Sequence, residues 1–407
     1  MHLLKTRSTS FQLYDSLRGL VQGVLEIGFS VFVLLIAIRW WEASSLYKGF
    51  LAGGMSLGLL VTPFFSSLLN RLKQTEIQVS SLLMIITGIS LLLAGLTSSL
   101  ILFVSLCMVA QICLSQIPNL ILKAYTAIYS IEERGKKVSV TLALSTGGGL
   151  LASYAFGSYL DLSHADYRWI LIWMSFSAFV AAFLLVRMKA SIPLSKSDFV
   201  LDKHSGFTLL RKDRVFVRVL VAWMLLGFGA IMTFPLRVEY LSRENQMNLS
   251  NREIALVAVI TFFGAKIIST FFWGKLFDLM HFIKLRVLLN IIMGLAILVY
   301  FNSETMSGVI TGSILAGIGM GGANLAWNLW VTKLAPAGKE KDYMSIHMSF
   351  TGIRGFFAPF FGYWIEAKVG FDGVSIISAL MISGSALLFL TCMMDRRFYV
   401  SKVQKQL

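Results

Sequence analysis

The amino-acid sequence predicts an all-α membrane protein with twelve transmembrane helices, arranged as two six-helix bundles related by a parallel pseudo-two-fold repeat. Three observations predict it. Of the 407 residues, 56% are hydrophobic and only 14% charged, against the quarter or so that is charged in soluble domains, and the mean hydropathy is +0.74. Apolar stretches of about 20 residues, the length at which a helix crosses a hydrocarbon layer, recur twelve times. Blocks of the first half return in the second at a nearly constant offset.

The apolar runs cover, in order, residues 17–38, 47–69, 77–96, 100–122, 138–160, 169–186, 215–236, 254–277, 287–301, 306–330, 343–365 and 373–393. Their apolarity is continuous rather than alternating, which excludes a closed barrel. An open sheet edge would strand backbone donors in hydrocarbon, so each run is read as a helix. The N-terminal stretch has charges well before the first run and no small-residue cleavage site after it, so that run is expected to be a retained span. Residues 187–214, the longest polar stretch, lie at the midpoint and divide a bundle at 1–186 from one at 215–407, with a cytoplasmic linker between them. Cys107, Cys113 and Cys392 all fall within apolar runs, at spacings that make neither a disulfide ladder nor a metal site.

The net charge of +15 has three readings: nucleic acid, anionic lipid, or the bias that orients membrane helices. Position decides between them. With both termini inside, the segments on that side carry 25 of the 36 Lys and Arg, the outside loops seven and the spans four. That asymmetry is the positive-inside signal. Basicity is therefore a matter of topology and no nucleic-acid partner is expected; the surroundings are a lipid bilayer, that of the cell's inner or plasma membrane, with cytoplasmic termini.

A shift of 205 residues lays Asn119 on Asn324, Gly157 on Gly362, Asp161 on Glu366, and the stretch 130–148 on 335–353. A shift of 208 lays 66–72 on 274–280. Since both halves hold an even number of spans, the repeat is parallel.

Gly274 and Asp278, followed by Lys284 and Arg286, form a Gly-x-x-x-Asp loop with trailing basic residues between the eighth and ninth runs. The first-half copy is degraded to Ser66, Asn70, Arg71 and Lys73, and Glu133-Arg134-Gly135 precedes the fifth run. With these motifs the chain resembles the major facilitator superfamily (MFS) over essentially its whole length. The resemblance implies the MFS fold, a gating role for Gly274, Asp278, Asn70, Arg71 and Arg134, and a central cavity lined by spans 1, 4, 7 and 10 and walled by 2, 5, 8 and 11. The family's antiporter signature, Gly-Pro-x-x-Gly in span 5, reads Ser153, Tyr154 and Gly157 here, which disfavours a classical proton-coupled drug exporter.

A charge at mid-bilayer costs about 2.5–3.5 kcal/mol on insertion scales, so it calls for a functional explanation. Three lie near span centres: Glu26, Lys266 and Arg354. Arg18 and Arg218 lie near span ends and are expected to snorkel to headgroups. Glu26 shares a face with Gln22 and Ser30, and Arg354 with His347 and Thr351. Span 4 carries Gln111, Ser115, Asn119 and Lys123 at steps of four, and span 10 carries Asn324, Trp327 and Asn328. These stripes are expected to line a wet cavity. Lys266 and Arg354 would hold an anionic group, the arginine through its planar fork. Glu26 would carry a coupling proton or pair with a cation, with His347 as a relay. The competing reading makes Glu26 one half of a structural ion pair. Gly317, Gly319 and Gly322 spell a dinucleotide fingerprint, but within a span and after no strand, so they are read as close helix packing.

The expectation is a secondary transporter working by alternating access on a small organic anion, by proton coupling or exchange, as a monomer. No cofactor or metal is expected, and neither is ATP drive, since no phosphate-binding loop occurs in the chain. The alternatives are a proton-coupled exporter of amphiphilic compounds or drugs and a non-transporting MFS-like receptor. An enzyme is not expected: the nearest candidate pair, His164 and Asp166, has no third partner.

Overall fold

The computed structural model describes residues 2–69, 75–188, 209–336 and 339–398, and they are helical almost throughout. Helix α1 (His2–Ile27) passes through a π-helical turn at Gly28–Phe32 into α2 (Val33–Arg39). Then follow α3 (Ser45–Leu69), α4 (Glu76–Leu96), α5 (Leu100–Ile128), α6 (Ile131–Leu160) and α7 (Arg168–Arg187). After the linker come α8 (Arg214–Ile231) and α9 (Phe234–Ser242), then α10 (Asn251–Ala255), which leads through a second π-helix at Leu256–Thr261 into α11 (Phe262–Leu279). The chain closes with α12 (Phe282–Phe301), α13 (Met306–Leu334) and α14 (Glu340–Leu390).

Among the described residues, ten helices are long and apolar enough to cross a membrane. The expected run at 47–69 corresponds to α3, which is not one of those ten. The expected run at 343–365 and all but the last three residues of that at 373–393 fall in α14, whose 51 residues would extend about 77 Å at 1.5 Å per residue, more than twice a bilayer core. It breaks at Gly370, where φ is +69° and ψ −175°, a conformation that only glycine adopts cheaply. Span 7 is likewise interrupted at Met232–Thr233, just before Pro235, which can supply no N–H to continue the ladder.

The chain forms two compact units, one of residues 1–200 with 249–259, the other of 201–248 with 260–407. In the first, α1 packs on α6, α3 on α5, and α4 on both α5 and α7. In the second, α8 packs on α14, α11 on α13, and α12 on both α13 and α14. The α1–α6 approach is close because Gly23 lies against the Ser145 carbonyl and Gly148 against that of Leu20; a Cβ at either would sit about 2 Å from an oxygen. The glycines of span 10 do the same work. A Cβ on Gly317 would fall 2.3 Å from the Phe262 carbonyl, so the fingerprint-like triplet is a packing seam.

Several spans begin or end beyond their apolar runs. Helix α12 starts at Phe282 and so takes in Arg286, and α9 runs to Ser242, taking in Arg237 and Glu239. Hydropathy ends a span at a charge, whereas the fold continues the helix wherever that charge finds partners. Arg237 donates to the Ser313 hydroxyl at 2.7 Å and lies 4.6 Å from the Tyr300 ring centre.

Candidate functional site

In the first unit the polar residues of α1 form one connected chain. Asp15, fully buried, accepts from Arg18 at 2.7 and 2.9 Å, from Tyr125 of α5 at 2.8 Å and from Thr141 of α6 at 2.8 Å. Arg18 also donates to Gln22, and the Gln22 amide donates to Glu26 at 2.8 Å. Glu26 is exposed, and the Ser145 hydroxyl lies 3.5 Å from its second oxygen. Arg18 therefore does not snorkel. It is 4% exposed because a carboxylate one turn earlier and a tyrosine from another helix hold it inside. Arg218, by contrast, is exposed.

The span-4 stripe divides in two. Gln111 and Ser115 are buried against α3, with Gln111 donating to the Leu51 carbonyl at 3.0 Å and Ser115 abutting Gly58. They bind helix to helix and line no wet cavity, because glycines at 54 and 58 let α3 approach close enough to cover them. Asn119, one turn further on, is exposed.

In the second unit Arg354 is 8% exposed and packs on Gly227, where a Cβ would collide with its guanidinium; it donates to the Trp223 carbonyl. His347, two turns earlier in α14, is fully buried among Trp223, Trp327 and Trp330, with ring centres 5.1 to 5.6 Å away. Arg286 of α12, placed by the sequence in a basic loop, is 1% exposed. Its guanidinium lies 4.7 Å from the Trp223 ring centre and donates to Asn290 at 2.9 and 3.1 Å. Arg354, Arg286 and His347 thus all meet at Trp223, the first at its carbonyl and the other two at its ring. Lys266, half-buried in α11, has its ammonium 5.2 Å from the Phe263 ring centre. Asn324 is exposed and Trp327 half-buried on α13. Beside these, a groove of about 620 Å³ between α11 and α13 is walled by Ile260, Ile268, Phe272, Ile314 and Ile318 and is almost wholly apolar.

Of the loop motifs, Arg134 donates to the Thr126 and Tyr129 carbonyls at the C-terminal end of α5, where a cation complements the helix dipole. Gly274 has open space where a Cβ would stand, so sterics do not demand glycine there. Asn70 and Arg71, and the side chains of Asp278 and Asn328, lie outside the described residues.

Each unit also carries a charge cluster at the end where its last-named helices turn. In the first, Asp161 accepts from the backbone of Asn251 at 2.7 Å and of Arg252 at 2.9 Å, capping α10, while Arg39 donates to Asn251 and the Leu249 carbonyl. In the second, Arg243 bridges Glu239 at 2.9 Å and Glu366 at 2.6 Å. Asp161 and Glu366 are repeat partners at 205, and Arg39 and Arg243 stand 204 apart. The arginines went unremarked in the sequence because one ends an apolar run and the other sits in a loop.

Residues 238–405 match the family model described as Major Facilitator Superfamily. Among solved structures the chain is similar to the nucleoside transporter NupG, with a TM-score of 0.73 and 13% identity over 94% of this chain and 98% of that one. It is similar to a D-xylose-proton symporter, with a TM-score of 0.70 and 14% identity over 94% and 97%. It also resembles a bacterial homologue of the human lysosomal transporter Spinster, inward-facing and occupied, with a TM-score of 0.69 and 13% identity over 97% and 98%. No curated protein matches by sequence. At such identities these likenesses show the fold.

Proposed function

We infer that this chain, whose C-terminal half matches the Major Facilitator Superfamily and whose fold is that of solved transporters, is a secondary active transporter of a small organic anion. It works by alternating access between two six-span bundles, 1–186 and 215–407, joined by the linker at 187–214. The observation that supports an anion is Arg354: a guanidinium deep in an apolar helix, bonded to a carbonyl and to no carboxylate among the described residues. Such a charge is costly when unpaired, and an anionic cargo would neutralise it. Exposed Glu26, anchored by Gln22, is suited to carry a coupling proton or a cation, and Asn119, Lys266, Asn324, Trp327 and Asn328 are the further candidates for contacting cargo.

The test is counterflow in proteoliposomes loaded with small organic anions, run with and without a proton ionophore. Wild type should exchange an anion, and loss of uphill uptake with the ionophore would mark proton coupling. Arg354→Lys should fold yet lose transport, since an ammonium cannot replace the bidentate fork. Normal affinity for the anion in that variant would end the anion reading.

A further inference from the structure

We propose that the second unit binds a doubly charged oxyanion, of the phosphate-monoester type, between Arg286 and Arg354, with His347, Thr351, Trp223 and Trp330 completing the shell. The proposal rests on the transport reading and narrows it to a cargo whose head carries two negative charges.

Two guanidiniums approach one residue, Trp223, from different helices: Arg286 lies over its ring at 4.7 Å and Arg354 bonds its carbonyl. Both are more than nine-tenths buried, and no carboxylate among the described side chains bonds either. Two like charges held together in a low-dielectric interior repel, and nothing described in this unit offsets them.

The atoms left over share one chemistry. Arg286 Nη1, Arg354 Nε, both ring nitrogens of His347, the Thr351 hydroxyl, and the indole nitrogens of Trp223 and Trp330 are buried with no hydrogen-bond partner among the described residues. Each of these side chains can donate, and arginine and tryptophan can do nothing else. A shell of donors lacks an acceptor-only group, which is what an oxyanion is. Two fixed positive charges match two negative ones, and the terminal oxygens of a phosphate outnumber those of a carboxylate.

The shell is also rigid. Asn290 holds Arg286 through two bonds and is itself tied to Ser385 at 3.1 Å, and Ser385 donates to the Ala222 carbonyl at 2.7 Å. Gly227 fixes the other guanidinium by leaving it just enough space. Trp327 and Thr351, both half-buried, are where the cluster comes nearest the surface of the unit.

The experiment is thermal unfolding of the purified full-length protein in detergent at pH 8, titrated with inorganic phosphate and compared with chloride and acetate at equal ionic strength. Phosphate should raise the midpoint by about 5 °C at a hundredfold excess over its dissociation constant, while acetate and chloride should not. Arg286→Lys and Arg354→Lys should each weaken phosphate about 30-fold or more, because the charge stays but the fork is lost. Should a lysine variant fail to fold, Gly227→Ala displaces the Arg354 guanidinium with its charge intact and should weaken phosphate too. No phosphate-specific shift, or an equal shift in all the variants that fold, overturns the proposal. Repeating the titration in phosphatidylglycerol nanodiscs separates the sources: a persisting shift assigns the site to a soluble phosphate, and an abolished one assigns it to a lipid headgroup and overturns the cargo. Anion counterflow that is lost in Arg354→Lys but survives at normal affinity in Arg286→Lys would sink the two-arginine site alone, whereas a phosphate shift without any counterflow would sink the transport reading alone.

Discussion

Asp15 accepts four hydrogen bonds while fully buried, and the cation it holds, Arg18, is 4% exposed. Removing one member of such a pair leaves the other charge stranded, which typically costs about 3–5 kcal/mol, whereas replacing both with apolar residues of similar volume is often neutral. Asp15→Asn should therefore lower the thermal midpoint markedly, and Asp15→Leu combined with Arg18→Met should recover most of the loss; the comparison needs only unfolding curves in one detergent. The sequence showed the spacing of the two residues but not their burial. Arg18 read as a snorkelling residue because its second partner, Tyr125, lies 107 positions away, and no local pattern announces such a contact. Arg286 reads as a loop cation for the same reason: its ring contact is to Trp223, 63 positions away, and its bonds to Asn290 are made only within the helix that contains both. Glu26 and Arg354 were legible, since a charge inside an apolar run needs no partner to be conspicuous.

At the scale of the elements, ten helices among the described residues are long and apolar enough to cross a membrane, against the twelve runs expected, and two glycines paired by the 205-residue shift both sit at close contacts. Gly157 and Gly362, aligned by sequence, each face a backbone: a Cβ on the first would lie 2.8 Å from the Asn251 carbonyl and on the second 2.3 Å from that of Met232. What the runs could not show is where a span changes register, because the π-helices at Gly28–Phe32 and Leu256–Thr261 leave composition unchanged. The start of α8 is fixed by a device with a pH signature. Asp213 accepts from the Val215 and Phe216 amides and from the Tyr343 hydroxyl at 2.8 Å, and Arg397 joins it at 2.7 Å to Asp395. Burial alone would raise Asp213, but the hydrogen bonds from Arg397, Phe216 and Tyr343 outweigh it and hold the carboxyl below its ordinary range; Asp395 is lowered chiefly by its hydrogen bond from Arg397. Since both folded-state values are depressed, the stabilisation is complete above the unfolded value near 3.9 and is lost as pH falls through the folded values. Thermal midpoints should be insensitive to these groups from pH 8 to about 5 and fall below about pH 4. Arg397→Ala should lower the midpoint at neutral pH and flatten that acid limb; an unchanged limb would remove the cluster from the account.

At the scale of the whole molecule, the split of 25 against seven basic residues between alternate segments is what the sequence offers for predicting orientation. The sequence displays isolated ions, such as Glu26 and Arg354, but not which of them meet, because those contacts join residues far apart in the chain. Alternating access makes the most exposed forecast: distances between the units must change in opposite senses at the two faces. It can be measured by double electron–electron resonance with one spin-label pair at Leu162→Cys and Glu304→Cys and another at Lys136→Cys and Lys212→Cys, all four positions being exposed. The native cysteines, Cys107, Cys113 and Cys392, are buried and should stay unlabelled. In proteoliposomes each pair should give two distance populations, and a bound anion should shift the two pairs reciprocally. A single, unresponsive distance at both faces would contradict transport by this molecule.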